Sequence, residues 1–146
     1  GAPNDVNAHP HRATGSNGNG SDRVTLIHNG IIENFAPLRA ECEATGIEFA
    51  SETDTEVAGT LLLDIYDTEA DGDLTRAMQL TANRLEGAFT LLAIHADHPD
   101  RIVAARWNSP LVIGVGEGEN FLSSDVAGFI EFTRDAVLAR VMARCR

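Results

Sequence analysis

At 146 residues with 43% hydrophobic side chains, the chain is about one domain long and can bury an apolar core. Eleven arginines and no lysine stand against twenty-two acidic residues, and the formal charge of −11 argues against nucleic acids and anionic membranes as partners. Cys42 and Cys145 lack the spacing of a disulfide framework or a zinc site, and no apolar run is long enough to cross a bilayer. We therefore expect a single domain in a reducing cytoplasm.

The first predicted elements are a loop and a strand. Residues 12–22 (RATGSNGNGSD) are almost free of apolar side chains and predict a flexible insertion. Residues 23–30 (RVTLIHNG) are rich in β-branched and apolar residues, which predicts a strand that ends at Asn29-Gly30.

A first helix is predicted directly after this strand. Pro37 suits its first turn, and Gly46 is placed to end it. Leu38, Cys42 and Thr45 recur at helical spacing and are predicted to share one face.

Two more helices are predicted from their capping residues. Thr53 and Glu56 have the spacing of a capping box, so the second helix should begin near Asp54. Asp73 is the predicted cap of the third helix, and Gly87 lies just past its end. The apolar positions predicted to face the core are Val57, Ala58, Leu61, Leu62 and Ile65 in the second helix and Leu74, Ala77, Met78 and Leu85 in the third.

From residue 88 the pattern indicates strands. Residues 88–96 and 101–107 are strand-like and are joined by DHPD, and residues 111–116 and 120–124 are joined by EGE. Consecutive hairpins predict antiparallel pairing, and grouped helices followed by grouped strands predict an α+β layered domain. The Arg-rich end of the chain reads as loosely helical.

Asn29-Gly30 and Asp54 are the strongest candidates for chemistry. An Asn-Gly pair usually marks a tight turn, but a helix follows here instead of a second strand. The alternative is an oxyanion hole made by the Asn29 side-chain amide and the Gly30 N–H. Asp54 could stabilise a helix N-terminus, bind a substrate ammonium group, or do both.

Other polar motifs carry weaker signals. His9, His11, His28 and Asp54 are ligand types for zinc or iron, but their spacing matches no metal signature, so no metal or other cofactor is predicted. The GVGEGEN segment is better explained as a hairpin turn than as a phosphate loop, because it is acidic and lacks lysine.

Five motifs occur in one order along the chain. They are NAHPH (7–11), HNGIIENFAPLR (28–39), SETDTEV (51–57), NSPLVIGVGEGENF (108–121) and SSD (123–125). Over about residues 1–135, this set resembles the glutaminase domain of the glucosamine-6-phosphate synthase family, the glutamine:fructose-6-phosphate aminotransferases, which are class II glutamine amidotransferases.

The resemblance implies a fold and an activity. The implied fold is a four-layer αββα N-terminal-nucleophile sandwich of antiparallel sheets, incomplete at its N-terminus, with an insertion at 12–22 and an atypical tail at 136–146. In that family a cysteine thiolate attacks the side-chain amide of glutamine and releases ammonia. A second domain then uses this ammonia to convert fructose 6-phosphate into glucosamine 6-phosphate. The resemblance implies no cofactor for the glutaminase step, and it implies that the full-length enzyme is a homodimer.

The resemblance also implies residue roles. Asn29 and Gly30 match the oxyanion hole, while Asp54 and the Gly30 carbonyl match the groups that bind the α-ammonium of glutamine, and His9 is expected to shape the pocket. The nucleophilic cysteine and the segment that binds the substrate carboxylate would precede Gly1, so the polypeptide alone is expected to be inactive. A non-catalytic glutamine-binding module, or an amidotransferase of the purine or asparagine type, remains as an alternative.

Overall fold

The computed structural model describes residues 4–13 and 23–139. A four-stranded antiparallel sheet with the order β1-β2-β3-β4 is built from β1 (His11–Ala13), β2 (Val24–Ile32), β3 (Gly87–His95) and β4 (His98–Trp107). Between β2 and β3 the chain forms α1 (Phe35–Ala44), α2 (Asp54–Thr68) and α3 (Leu74–Arg84). A second antiparallel sheet, with the order β6-β5-β7, contains β5 (Val112–Val115), β6 (Asn120–Ser123) and β7 (Ala136–Leu138).

The core lies between the helices and one face of the first sheet. Alternate side chains of β2, at Val24, Leu26 and Ile32, are buried there, as the period of two in a strand requires. α2 is the central helix, since it contacts β1, β2 and both other helices and is buried around most of its circumference. α2 packs directly on β1 and β2 at Gly59, where a Cβ would be in ordinary contact, 3.6 Å, with the Cβ of Ala13.

The layers confirm the predicted α+β class with antiparallel sheets. Helices cover one face of the first sheet, and the second sheet lies across a cavity on the other face. Among residues 4–13 and 23–139, the layers are therefore helix, sheet and sheet. No helix in this part of the chain is both long and apolar enough to cross a membrane.

The predicted end of the strand at Asn29-Gly30 is wrong. β2 continues through both residues to Ile32 and stays paired with β3, with Gly30 opposite Phe89. Gly30 has φ +124°, and a Cβ on it would lie 2.1 Å from the Ala88 carbonyl oxygen. The glycine therefore serves a close contact between strands, which a local turn signal cannot reveal.

All three helices are confirmed, with corrections at their ends. Thr45 is exposed, and its hydroxyl donates to the Cys42 carbonyl instead of packing inward. Gly87 lies just past the end of α3, as predicted, but it is the first residue of β3 and not the cap of the helix. A Cβ there would lie 2.3 Å from the Ile31 carbonyl oxygen, so the close contact between strands requires glycine. The side chain of Glu56 does not complete a capping box, since it accepts hydrogen bonds from backbone groups upstream of Thr53.

Two boundaries of the strand region also change. β4 begins at His98, so most of the predicted DHPD connection belongs to the strand. Residues 136–138 form β7 and pair with β5, so the interpretation of this stretch as helical is wrong there. The predicted insertion at 12–22 is wrong at residues 12 and 13, which belong to β1, and its remainder at 14–22 falls outside the described residues. The tail falls outside them from residue 140 onward.

Candidate functional site

Two hydrogen bonds establish which residues of β2 face β3. The Glu33 N–H donates to the Glu86 carbonyl at 2.8 Å, and the Ala96 N–H donates to the Arg23 carbonyl at 2.8 Å. Hydrogen-bonded and non-hydrogen-bonded pairs alternate in an antiparallel ladder. The odd-numbered residues of β2, including Asn29, therefore exchange main-chain hydrogen bonds with β3, and the even-numbered residues turn these groups away from it.

By this alternation the even-numbered positions, with Gly30 among them, lie toward the opposite edge of β2, and the φ of +124° at Gly30 turns its peptide groups out of the regular strand orientation. The Ile32 N–H faces the same edge and donates to Asp54 Oδ2 at 2.9 Å. β1 pairs with β2 only from Val24 to Leu26, so no strand of the described part of the chain covers the edge at Gly30. Gly30 and the Asp54 carboxylate thus lie at one uncovered sheet edge.

The Asn29 side chain points in a different direction. It is exposed on the sheet face opposite the helices and lines a cavity of about 330 Å³ between the two sheets. The other lining residues are Ile27, His28, Thr90, Leu92, Leu111, Leu122, Ser123 and Ser124. The side chain of one strand residue and the N–H of the next leave the strand at roughly right angles. A ligand would contact both donors only where the uncovered edge adjoins this cavity.

Asp54 is held as a carboxylate at the first turn of α2. Thr53 is the N-cap, because its hydroxyl accepts from the Glu56 N–H at 3.2 Å, which leaves the Asp54 side chain free for other contacts. Burial alone would raise the pKa of Asp54, but the His28 imidazole and the Ile32 N–H lower it to about 2. The carboxylate is 23% exposed and keeps lone pairs available for a ligand.

His28 lies directly beside this carboxylate. Its side chain is 3% exposed, and its Nδ1 lies 3.1 Å from Thr55 Oγ1 and 3.6 Å from Asp54 Oδ1. Sequence reasoning considered His28 only as an unconvincing metal ligand and missed both it and Ile32 as partners of Asp54. The available signal was its even position in β2, on the buried face with Leu26.

His9 joins the same neighbourhood from the N-terminal segment. Burial lowers the pKa of His9, and His11 and His28 add repulsion, while the Asp54 carboxylate opposes them. The His9 and His11 rings meet edge to face with centroids 5.4 Å apart. Among residues 4–13 and 23–139, no three His, Cys, Asp or Glu side chains are arranged to hold a metal ion.

The predicted site residues are thus only partly brought together. His9 is near enough to Asp54 for the carboxylate to oppose the lowering of its imidazole pKa, and Gly30 lies on the edge that Asp54 shares. The Asn29 side chain opens instead into the cavity between the sheets. Cys42 is buried on α1, and burial raises the pKa of its thiol, so it is not an activated nucleophile.

A family model described as a glutamine amidotransferase domain matches residues 15–130. A glutamine–fructose-6-phosphate aminotransferase (isomerizing) of Corynebacterium efficiens is 70% identical over 137 residues, which cover 94% of this chain and 21% of the relative. The corresponding protein of Streptomyces coelicolor is 61% identical over the same shares. The chain therefore spans about a fifth of the length of these relatives.

Solved structures show the same fold at lower identity. The glutamine phosphoribosylpyrophosphate amidotransferase of Bacillus subtilis, complexed with ADP and GMP, superposes with a TM-score of 0.63 at 24% identity, over 75% of this chain and 24% of that one. A structure described as the allosteric regulatory enzyme of purine biosynthesis gives the same TM-score at 23% identity.

Proposed function

Because the chain belongs to the glutamine amidotransferase domain family, we propose that the uncovered edge of β2 and the Asp54 carboxylate bind glutamine for hydrolysis of its side-chain amide. The observation that carries this proposal is the position of the Asp54 carboxylate, which the Ile32 N–H anchors at the uncovered edge of β2. Gly30 lies at the same edge, and we assign its carbonyl to the space beside β2. An ionised carboxylate and a carbonyl are suitable partners for the α-ammonium of an amino acid.

The same strand supplies donors for the reacting end of the substrate. Attack on an amide carbonyl creates an oxyanion, and donors aimed at that position stabilise the transition state. We assign this role to the Gly30 N–H and the Asn29 side-chain amide, which would meet at the corner between edge and cavity. His9 is assigned to the wall of the pocket beside Asp54.

The nucleophile of the reaction has to come from outside this site. Among the described residues the only cysteine is Cys42, which is buried and has a raised thiol pKa. The resemblance assigns the role to a cysteine thiolate that precedes this segment in the family. We therefore propose that the 146 residues contribute oxyanion and ammonium binding, and that the rest of the active site lies elsewhere in a longer protein.

For that longer protein we propose the reaction of the Corynebacterium and Streptomyces relatives, in which ammonia from glutamine aminates fructose 6-phosphate. Identities of 61–70% favour this over a purine-pathway amidotransferase, because the 24% identity of the phosphoribosylpyrophosphate enzyme supports the fold alone. A cytoplasmic homodimer without nucleic acid or membrane partners completes the proposal.

The proposed glutamine site is tested in a chimeric enzyme. Here the matching 137 residues of the Corynebacterium efficiens relative are replaced by those of this chain. Glutamate release from glutamine is then measured for the chimera and for its Asp54→Asn and Asn29→Ala variants. We expect Asp54→Asn to raise KM and Asn29→Ala to lower kcat; unchanged kinetics in both would overturn the site. Asp71→Asn, at a side chain that is 94% exposed, is the matched control.

A further inference from the structure

Two buried nitrogens of the described part of the chain lack a hydrogen-bond partner, and they are Nε2 of His28 and Nε2 of His95. Natural proteins rarely leave a buried polar atom unsatisfied without a functional or structural reason. The His28 ring is therefore oriented by its other nitrogen, Nδ1, which faces the first turn of α2.

The surroundings of Nδ1 determine where the ring carries its proton. If Nδ1 carries no proton, its lone pair faces the negatively charged Asp54 Oδ1 at 3.6 Å, which is unfavourable. If Nδ1 is protonated, its N–H faces that oxygen and can donate to Thr55 Oγ1 at 3.1 Å. The Thr55 hydroxyl can in turn donate to Asp54 Oδ1 at 3.4 Å. A protonated Nδ1 satisfies every group in this set, so the geometry selects the Nδ1–H form of His28.

We propose that His28 is a positioning residue for Asp54, whose Oδ1 it faces at 3.6 Å and holds through the Thr55 hydroxyl between them. With Oδ2 anchored by the Ile32 N–H, the carboxylate is then held at both oxygens and turned toward the Gly30 edge. This inference rests on the proposed glutamine site. It adds that selectivity for the α-amino group depends on a buried side chain that does not touch the substrate.

The charges around Asp54 agree with this role. His28 reaches it from β2, and His9 from the N-terminal segment is attracted to it. The neighbouring His11 is tied to the N-cap, because its Nε2 lies 3.3 Å from Thr53 Oγ1. Burial acts to raise the pKa of Asp54, and the His28 imidazole contributes most to lowering it, which agrees with a role of His28 in holding the ionised form.

The first test is independent of catalysis. Ring-nitrogen NMR of the 146-residue polypeptide at neutral pH should show His28 with its proton on Nδ1. Carbon NMR of the Asp54 carboxylate should give a pKa near 2 in the parent and a higher value in His28→Gln. A proton on Nε2, or an Asp54 pKa that does not change in the variant, would overturn the positioning role.

The second test separates the two ring nitrogens in the chimeric enzyme. In His28→Asn the side-chain amide lies near the former Nδ1, whereas in His28→Gln it lies near the former Nε2. The measured quantity is kcat/KM for glutamine divided by kcat/KM for 4-carbamoylbutanoate, which is glutamine without its α-amino group. We expect His28→Gln to lower this ratio about tenfold, the effect of one charge-assisted hydrogen bond, and His28→Asn to restore most of it.

Controls distinguish this inference from the proposed function. His95→Gln changes the other buried histidine, which lies four residues further along the β2–β3 ladder, and should leave the ratio unchanged. If Asp54→Asn leaves the ratio unchanged, the glutamine site itself is wrong. If Asp54→Asn lowers it and His28→Gln does not, only the positioning role of His28 fails.

Discussion

The main-chain N–H of Ile32 donates a 2.9 Å hydrogen bond to the carboxylate of Asp54, which joins the edge of β2 to the first turn of α2. The two residues are 22 positions apart, and each belongs to a different sequence motif. This bond places the carboxylate beside Gly30 at the uncovered edge. The proposed site therefore depends on the packing of α2 against β2.

Removal of the Asp54 charge should act mainly on substrate binding. In the chimeric enzyme, we expect Asp54→Asn to raise KM for glutamine on the order of 100-fold, because a partly buried cation would lose its partner. The value of kcat should change far less, since the carboxylate contacts the ammonium and not the reacting amide. Steady-state kinetics across glutamine concentrations measure both constants. A loss of kcat on the order of 100-fold with no change in KM would contradict the assigned role.

Gly30→Ala should prevent normal folding of the sheet. Its Cβ would lie 2.1 Å from the Ala88 carbonyl oxygen, and the residue also has φ +124°. Gly46→Ala is the matched control, because Gly46 has φ +88° and a Cβ there would have no neighbouring atom within 4 Å. Urea unfolding of the polypeptide should show a loss of about 1 kcal/mol for the control, from backbone strain alone. Equal stability of the two variants would contradict the close contact at Gly30.

The depressed pKa of Asp54 makes part of the stability dependent on pH. Its pKa falls from the ordinary 3.8 to about 2 on folding, so the folded state favours the ionised form. This contribution, about 2 kcal/mol, is present above pH 4 and is lost as the pH falls toward 2. Urea unfolding of the parent polypeptide between pH 5 and pH 2 should follow this loss. The free energy of unfolding of Asp54→Asn should decrease less than that of the parent over this pH range. An identical decrease would contradict the assignment of this pH dependence to Asp54.

Cys42 should have no catalytic role. Burial holds it as a neutral thiol on α1, so Cys42→Ala in the chimeric enzyme should leave kcat for glutamine within about twofold of the parent. The 146-residue polypeptide alone should release no glutamate from glutamine, because the only cysteine among residues 4–13 and 23–139 is a buried thiol with a raised pKa. Enzyme-coupled detection of glutamate tests both statements. If the polypeptide released glutamate and Cys42→Ala abolished that release, both statements would be contradicted.

Local signals in the sequence determined the helices and most of the strands. Thr53 and Asp73 cap α2 and α3 as predicted, because a cap is formed within a few residues of its own helix. The hairpin of β5 and β6 was likewise readable from its acidic glycine turn. Asn29, Gly30 and Asp54 were candidates from their local positions, and the order of the motifs, which also lies entirely in the sequence, gave them and His9 their expected roles.

Tertiary structure decided what those candidates can do. The continuation of β2 past Asn29 depends on pairing with β3, about sixty positions later in the chain, and no local turn signal reports such a pairing. The contacts of Asp54 with Ile32 and His28 arise only when α2 packs on β2. Hydrogen bonds and burial between segments distant in sequence depend on the whole fold, and for that reason the positions of the chemical groups could be predicted only after the elements were assembled.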